Sequence, residues 1–483
     1  MPTHRELVVD GRTLSCADVG LVASADVQVL IDPTAVRRAT DAWKLVTELA
    51  AEREIYGRTT GVGANRDLTV DEDAGPEHGR RLLRSHAGGA GGPLDADQVR
   101  AMLLIRCNQL AAGGSGAHPR LLTALADALT AGAIPLVHRT GAIGTGDLTV
   151  LAETALTLTG ERPWAVGSLP PVELDTSDAL AFMSSNAATL ADSVLAYLEL
   201  DVLLRASHVV TALSFVVLGG SPEAYATPVH AARPHPGQVA VAAEMRRLLG
   251  MLGVPKPGRR IQDPYGLRAF PQVQGPAVDA LGYLRDVLTI EINASTENPM
   301  VSLDAGDVFH HAHFHTAYVA VALDQARATV HHVAELSAAR LGDLVEPSFT
   351  DLPAFLAAGP PGSSGVMILE YVAHDALAVL RQAALPVTMG TAVVSRGVED
   401  HASFSTQAAR QAREVATAYR QVLAWELVAA VRALRMRPAD IMDLPVREAF
   451  DLADAVLDQN LSDRPLADDL EAAGPLLDQL AVL

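Results

Sequence analysis

The run Thr140-Gly141-Ala142-Ile143-Gly144-Thr145-Gly146-Asp147-Leu148 could build a reactive group from its own backbone. Glycine on each side of Thr145 removes the Cβ barrier, so the chain can fold back on itself there. Attack of the Gly146 amide nitrogen on the Gly144 carbonyl would close a five-membered ring. Loss of water from the Thr145 side chain would then leave an exocyclic alkene conjugated to a carbonyl. A Gly-Thr-Gly triplet alone is most often a plain turn, so its neighbours decide. Tyr56 opens a glycine loop, Tyr56-Gly57-Arg58-Thr59-Thr60-Gly61-Val62-Gly63, and a phenol at a mobile hinge can serve as a general base on a lid. Arg106-Cys107-Asn108-Gln109 puts polar residues ahead of a glycine break at Gly113-Gly114. Gln262, Tyr265 and Arg268 set an amide, a phenol and a guanidinium close together; the guanidinium suits bidentate capture of a carboxylate. Glu399-Asp400 adds a carboxylate pair next to His401.

The elements that must carry these residues read as helices. The chain is 483 residues long, 49% hydrophobic but only 4% aromatic, which points to helices packed through small aliphatic side chains. Residues 177–218 form an apolar run with charges only at Asp178, Asp192, Glu199, Asp201 and Arg205, and a helix that is apolar almost all round is a buried one. Residues 315–342 and 365–385 repeat the pattern, and 403–435 predicts a longer amphipathic helix. A short strand is expected at Leu7-Val8-Val9, a helix around Ala35 to Ala51, and glycine-rich loops at 56–63 and 87–92. The expected architecture is all-α, a bundle of long helices with loops gathered at their ends. Residues 1–200 would carry the tyrosine loop and the triad and 201–483 the bundle and C-terminal helices, as one continuous unit. A net charge of -20 excludes a basic surface for nucleic acid. Cys16 and Cys107 offer no disulfide framework and suit a reducing compartment. With no leader-like N-terminal segment and with stretches such as Ala206 to Gly220 too short to span a bilayer, a cytoplasmic protein without a membrane partner is expected.

Taken together and in this order, the motifs resemble the aromatic amino acid ammonia-lyase family, in particular its histidine ammonia-lyase branch. The resemblance runs from about residue 6 to about residue 470. Its landmarks are the 56–63 loop, Ser85-His86-Ala87, the Arg106/Asn108/Gly113/Ser115/Gly116 block, Gly146-Asp147-Leu148, and Gln262 to Arg268 with Pro271-Gln272-Val273. Asn298-Pro299, Phe314-His315, Ser364-Gly365 with Met367, Glu399-Asp400-His401 and Asp463-Arg464 complete it. The family implies an all-helical homotetramer with active sites built from three subunits. It also implies a self-made 4-methylidene-imidazole-5-one ring (MIO) from an internal Ala-Ser-Gly, here Gly144-Thr145-Gly146. An unactivated β-proton is too weak an acid for a tyrosinate unless charge is drawn away from it, which is what such a ring does. By this resemblance Tyr56 is the base and Arg268 the carboxylate clamp. Tyr265 and Gln262 organise ring and substrate, Phe314 packs beside the electrophile, and Glu399 sits near the amine or imidazole. Ser85-His86 matches the histidine branch, where phenylalanine and tyrosine enzymes carry Phe-Leu or His-Leu.

The chain departs from the family pattern in four places, the first being the triad, where Gly144-Thr145 stands for Ala-Ser. Thr145 replaces the serine of the triad, and dehydration of threonine gives an ethylidene whose methyl hinders attack and donates electrons. Ser184 aligns to an asparagine that contacts ring and substrate, with Asn186 two residues on. Thr59 and His313 replace asparagines of the tyrosine loop and of the step before Phe314. His310, His311, His313 and His315 are two apart or less, a spacing that can bind metal from a loop, but no acidic or cysteine partner is fixed nearby and no metal is expected. His331-His332 reads as a solvated or interface pair within a helix. Three functions stay open: an ammonia-lyase or aminomutase acting on a histidine-like or aromatic amino acid, a ring-less elimination, isomerisation or cyclisation on a carboxylate-bearing small molecule, and a non-catalytic relative.

Overall fold

The computed structural model describes residues 5–70, 75–175, 178–255 and 257–483. They form two compact units, each assembled from three stretches of chain. The first takes Met1–Leu198, Leu284–Leu323 and Pro386–Arg410, the second Glu199–Tyr283, Asp324–Leu385 and Gln411–Leu483. Both are helical, and the only strands among the described residues lie in four two-stranded sheets. The fold is all-α, as the composition predicts. The long helices appear as Ala187–Leu218, Ala317–Val345, Ile368–Ala383 and Ser405–Met436, with Phe270–Glu291 in addition. Residue 177, where the apolar run begins in the sequence, lies outside the described residues. The stretch Asp178–Leu218 is long and apolar enough to cross a membrane by length and composition, well beyond the segment 206–220, and 78% of its most apolar window is buried in protein.

In the first unit, the helix Pro33–Glu52 shows how sequence sets up the tyrosine loop. Asp32 caps it by accepting from Thr34 N at 2.6 Å, and Pro33 supplies a pre-set φ at its first position. Ala35, Ala39, Ala42 and Val46 recur at helical spacing and are buried. Ala42 and Val46 close on Ile55, Val301 and Val308, so the helix lies on the hairpin Met300–Ser302 and Asp307–Phe309. That packing brings the chain leaving the helix at Tyr56 beside the chain leaving the hairpin at His310. Strand Arg5–Val9 pairs in parallel with Val27–Ile31. The region 87–92 is not all loop, because Ala90–Pro93 pairs with His138–Thr140. Glycine gives no strand signal, and the partner lies about fifty residues away, so only the tertiary pairing could reveal it.

The polar block in helix Ala96–Ala111 is a framework. Arg106, fully buried, donates to the Phe182 carbonyl at 2.8 Å and to Glu297 at 2.6 Å. Its neighbour Gln109 accepts from the Ser185 hydroxyl at 2.6 Å, and Asn108 accepts from Gly11 N and donates to the Ile292 carbonyl. A buried guanidinium of this kind is tolerated because it is paired, and with a further bond to the Ala181 carbonyl it fixes the backbone just before residues 183–186. Helices Gly75–His86, Leu148–Leu158 and Asp178–Met183 pack against one another. His86 ends the first, the Gly-Thr-Gly triad precedes the second, and Ser184 follows the third.

The second unit is tied by a buried Arg340–Glu426 pair. Arg340 makes two bonds to the carboxylate, at 2.6 and 2.8 Å, and the hydroxyls of Ser214 and Ser337 donate to its two oxygens. Three long helices meet there. The remaining Arg340 nitrogen donates to the Gly266 carbonyl at 3.1 Å, and Tyr225 donates to the Leu267 carbonyl at 2.6 Å. The short turn Tyr265–Arg268 is therefore held from below, with Leu267 buried and Tyr265 exposed.

Candidate active site

Both glycines of the triad take backbone conformations that side chains resist, Gly144 at φ +85° and Gly146 at φ +107°. The turn is pinned on every side. The Gly144 carbonyl oxygen accepts from the Ser403 hydroxyl at 2.9 Å, the Thr316 hydroxyl at 3.2 Å and the Thr316 amide at 3.4 Å. The Gly146 amide donates to Asn186 Oδ1 at 3.1 Å, and the Asn186 amide group donates to the Phe314 carbonyl at 2.6 Å. Phe404 N donates to the Ile143 carbonyl at 2.9 Å, and Asp147 N to the Ser185 carbonyl at 2.7 Å. The buried Asp147 carboxyl, which burial pushes up to about 6, accepts from the amide and hydroxyl of Thr189. A Cβ on Gly144 would overlap Ser403 Oγ and stand 2.8 Å from the Ser405 backbone nitrogen, so alanine, the usual residue of the family triad, does not fit here.

Thr145, half-buried, lines a cavity of about 640 Å³ within the first unit. Tyr56, His86, Ser184, Phe314 and Glu399 share that lining, with Leu148, Leu180, Met183 and Val398 as its apolar part. The Tyr56 hydroxyl accepts from Gly63 N at 2.7 Å, closing the glycine loop on itself. Burial raises its pKa above the ordinary phenol range. The Gly63 hydrogen bond and Arg66 pull it back, and the Glu399 charge pushes it further up. The Tyr56 amide donates to His310 Nε2 at 3.2 Å. Burial and the charge of Arg53 lower the His310 pKa, which favours the neutral ring that this acceptor role requires. His86 Nδ1 lies 2.9 Å from the Leu82 carbonyl. A carbonyl can only accept, so Nδ1 is the donor in this bond.

The structure thus gathers Tyr56, His86, Thr145, Ser184, Phe314 and Glu399 around one cavity. Asn186 acts behind the triad instead of in the lining, and Ser184 Oγ accepts from Asn298 N at 3.1 Å. Gln262, Tyr265 and Arg268 belong to the second unit and are not part of this lining. Tyr265 is 66% exposed, with the Arg268 guanidinium over its ring at 4.3 Å and Arg268 Nε donating to the Asp263 carbonyl. The four histidines have different partners, although the ring centroids of His311 and His313 lie 4.3 Å apart. His310 serves Tyr56, His313 N donates to His311 Nδ1, and His315 Nε2 pairs with His401 Nδ1 at 2.9 Å. Among the described residues no three His, Cys, Asp or Glu side chains are grouped to hold a metal. His331 and His332 stack on each other, His332 bonding Glu335. Thr316, Ser403 and Ser405, which surround the Gly144 carbonyl, carry no signal in the sequence. Serine and threonine are common, and these come from two helix starts some ninety residues apart.

Residues 14–454 match the family of aromatic amino acid lyases along most of the chain. The chain belongs to the aromatic amino acid lyase family. Histidine ammonia-lyase of Geobacillus thermodenitrificans is 33% identical over 99% of this chain and 98% of that protein. Among solved structures, the ergothioneine degrading enzyme ergothionase of Treponema denticola superposes with a TM-score of 0.91 at 29% identity, covering 99% of each chain. Phenylalanine aminomutase of Pantoea agglomerans gives 0.92 at 26% identity, covering 99% of this chain and all of that one. This aromatic amino acid lyase therefore shares its whole fold with carbon–nitrogen lyases and aminomutases, and its cavity holds the tyrosine loop and the triad together.

Proposed function

We propose that this aromatic amino acid lyase eliminates ammonia from, or shifts the amino group of, a histidine-like or aromatic α-amino acid. The observation that carries the reading is the pinned Gly144-Thr145-Gly146 turn, with positive φ at both glycines and Thr145 in the same cavity as Tyr56 and His86. The residues fit a backbone-derived ring, since neither glycine has a side chain to obstruct closure and the two atoms that would join, Gly146 N and the Gly144 carbonyl, are both held by hydrogen bonds. Such a ring, an MIO bearing the Thr145 methyl, supplies an electrophile that draws charge from the substrate.

The chain's own side chains do the rest. Tyr56, as the phenolate that the Gly63 N–H stabilises before the step, removes the β-proton and becomes the phenol. His86 Nε2 accepts a hydrogen bond from the substrate's imidazole or ammonium. Glu399 answers its positive charge, while Ser184 and Phe314 border the side chain. Arg268, Tyr265 and Gln262 complete the site from a neighbouring copy in a homotetramer, with Arg268 on the substrate carboxylate. Exposed apolar side chains such as Tyr318 and Ile290 in the first unit and Tyr371 in the second support a surface that other copies cover. Sedimentation as a tetramer is expected, and a monomer would remove this part of the reading.

Intact-protein mass tests the chemistry. The mature chain is expected to weigh two waters less than its encoded sequence. A mass equal to the encoded one would sink the ring-dependent reading. It would favour the second, a ring-less elimination, isomerisation or cyclisation on a carboxylate-bearing molecule, which draws support from threonine at 145.

A further inference from the structure

We propose that Thr316 and Ser403 form an oxyanion site that drives the chain's own ring closure, with Ser405 positioning Thr316. The inference rests on the ring-dependent reading above. Its basis is a surplus of donors on one oxygen. A neutral peptide carbonyl has two lone pairs, yet the Gly144 oxygen faces three donors, the Ser403 hydroxyl at 2.9 Å, the Thr316 hydroxyl at 3.2 Å and the Thr316 amide at 3.4 Å. An alkoxide has three lone pairs and a full charge. Donors in excess for the ground state are the arrangement that stabilises the state in which charge has developed.

All three hydroxyls are cut off from solvent, with Thr316 at 1%, Ser403 at 4% and Ser405 at 0% exposure, so their dipoles act undiluted by water. The Ser405 and Thr316 hydroxyls lie 2.7 Å apart. When Ser405 donates to Thr316, the Thr316 proton is directed to the Gly144 oxygen. The glycine at 144 belongs to the same design. Ser403 Oγ occupies the space that a Cβ would need, so the hydroxyl can approach this carbonyl only because the residue has no side chain.

The step balances without any co-reactant. The Gly146 nitrogen attacks the Gly144 carbonyl carbon, forming the C–N bond and placing the electron pair on the oxygen between Thr316 and Ser403. The nitrogen's proton, held until then against Asn186 Oδ1, ends on that oxygen. The resulting hydroxyl leaves as water with the Thr145 amide proton, making a C=N bond. The Thr145 hydroxyl leaves as a second water with the Thr145 α-proton, making the exocyclic C=C bond. Nothing is oxidised or reduced.

The test follows intact mass over time after cell-free synthesis, with helical circular dichroism as the folding control. The wild type is expected to lose two waters. Thr316→Val and Ser403→Ala, folded to the wild-type helical content, are expected to close about 10²-fold more slowly each, and Thr316→Ser, which keeps the hydroxyl, to match the wild type. Folded Thr316→Val and Ser403→Ala proteins that lose both waters at the wild-type rate would overturn the oxyanion role while leaving the ring reading intact. A wild type that keeps its encoded mass would overturn both. The two variants sit on different elements, so misfolding in one leaves the other to decide.

Discussion

Tyr56→Phe is expected to lower turnover by about 10²- to 10⁴-fold, the usual contribution of a positioned general base, while leaving the fold in place. The change deletes one oxygen. Its one hydrogen bond among those described is from Gly63 N at 2.7 Å, and losing such a partner costs about 1 kcal/mol, too little to unfold a chain of this size. The pH profile gives a second readout. Burial holds the Tyr56 hydroxyl above the ordinary phenol range, so the basic form is scarce at neutrality and its fraction grows as pH rises. The wild-type kcat/KM is therefore expected to climb through the alkaline range, and the Tyr56→Phe protein to lose that limb. Both are read by following the unsaturated acid product against pH. Turnover retained in the variant would remove Tyr56 from the role of base.

Thr145→Ser is expected to raise lyase activity by at least about tenfold, because a methylidene carbon is less hindered and more electron-poor than an ethylidene carbon, and each 1.4 kcal/mol off the barrier is about one such factor. The measurement pairs intact mass with product formation. Loss of two waters without a gain in rate would show that the methyl group is not what limits the reaction. Restoring alanine as well is expected to undo the gain. A Cβ at 144 would overlap Ser403 Oγ and meet backbone at 2.8 Å, at a φ of +85°, a clash and a strain that together destabilise by about 1–3 kcal/mol or more. Gly144→Ala with Thr145→Ser should therefore be less stable and less active than Thr145→Ser alone. A double variant equal to the single one would mean that the hydroxyl cluster yields easily.

Much of this was legible in the chain because it is local. Apolar runs with few charges predict buried helices, and Ala187–Leu218 lies in one. Glycines around Tyr56 and Thr145 announce turns, and both are turns. Ser85-His86 and Glu399 can be singled out by residue type and order, and the side chains of His86 and Glu399 do reach the cavity. The strand Ala90–Pro93 was not legible, since its glycines carry no propensity and its pairing with His138–Thr140 is long-range. Nor was the difference between Ser184 and Asn186. Position along the chain favours Ser184 for the contact with the triad, but Asn186 holds the Gly146 amide, in the turn after helix Asp178–Met183 where the Ser185 hydroxyl donates to Gln109.

By itself the sequence determined the family, the helical class and the identity of the tyrosine loop and the triad, because each is written in contiguous residues whose backbone freedom or side-chain chemistry is intrinsic. Only the tertiary structure decided what surrounds the Gly144-Thr145-Gly146 turn. Hydrogen bonds act over about three ångströms, and the hydroxyls of Thr316 and Ser403 at the Gly144 carbonyl, with Ser405 behind Thr316, are brought to residue 144 by folding alone. The triad's threonine is visible in the sequence, whereas the reason its first residue must be glycine is visible only in three dimensions.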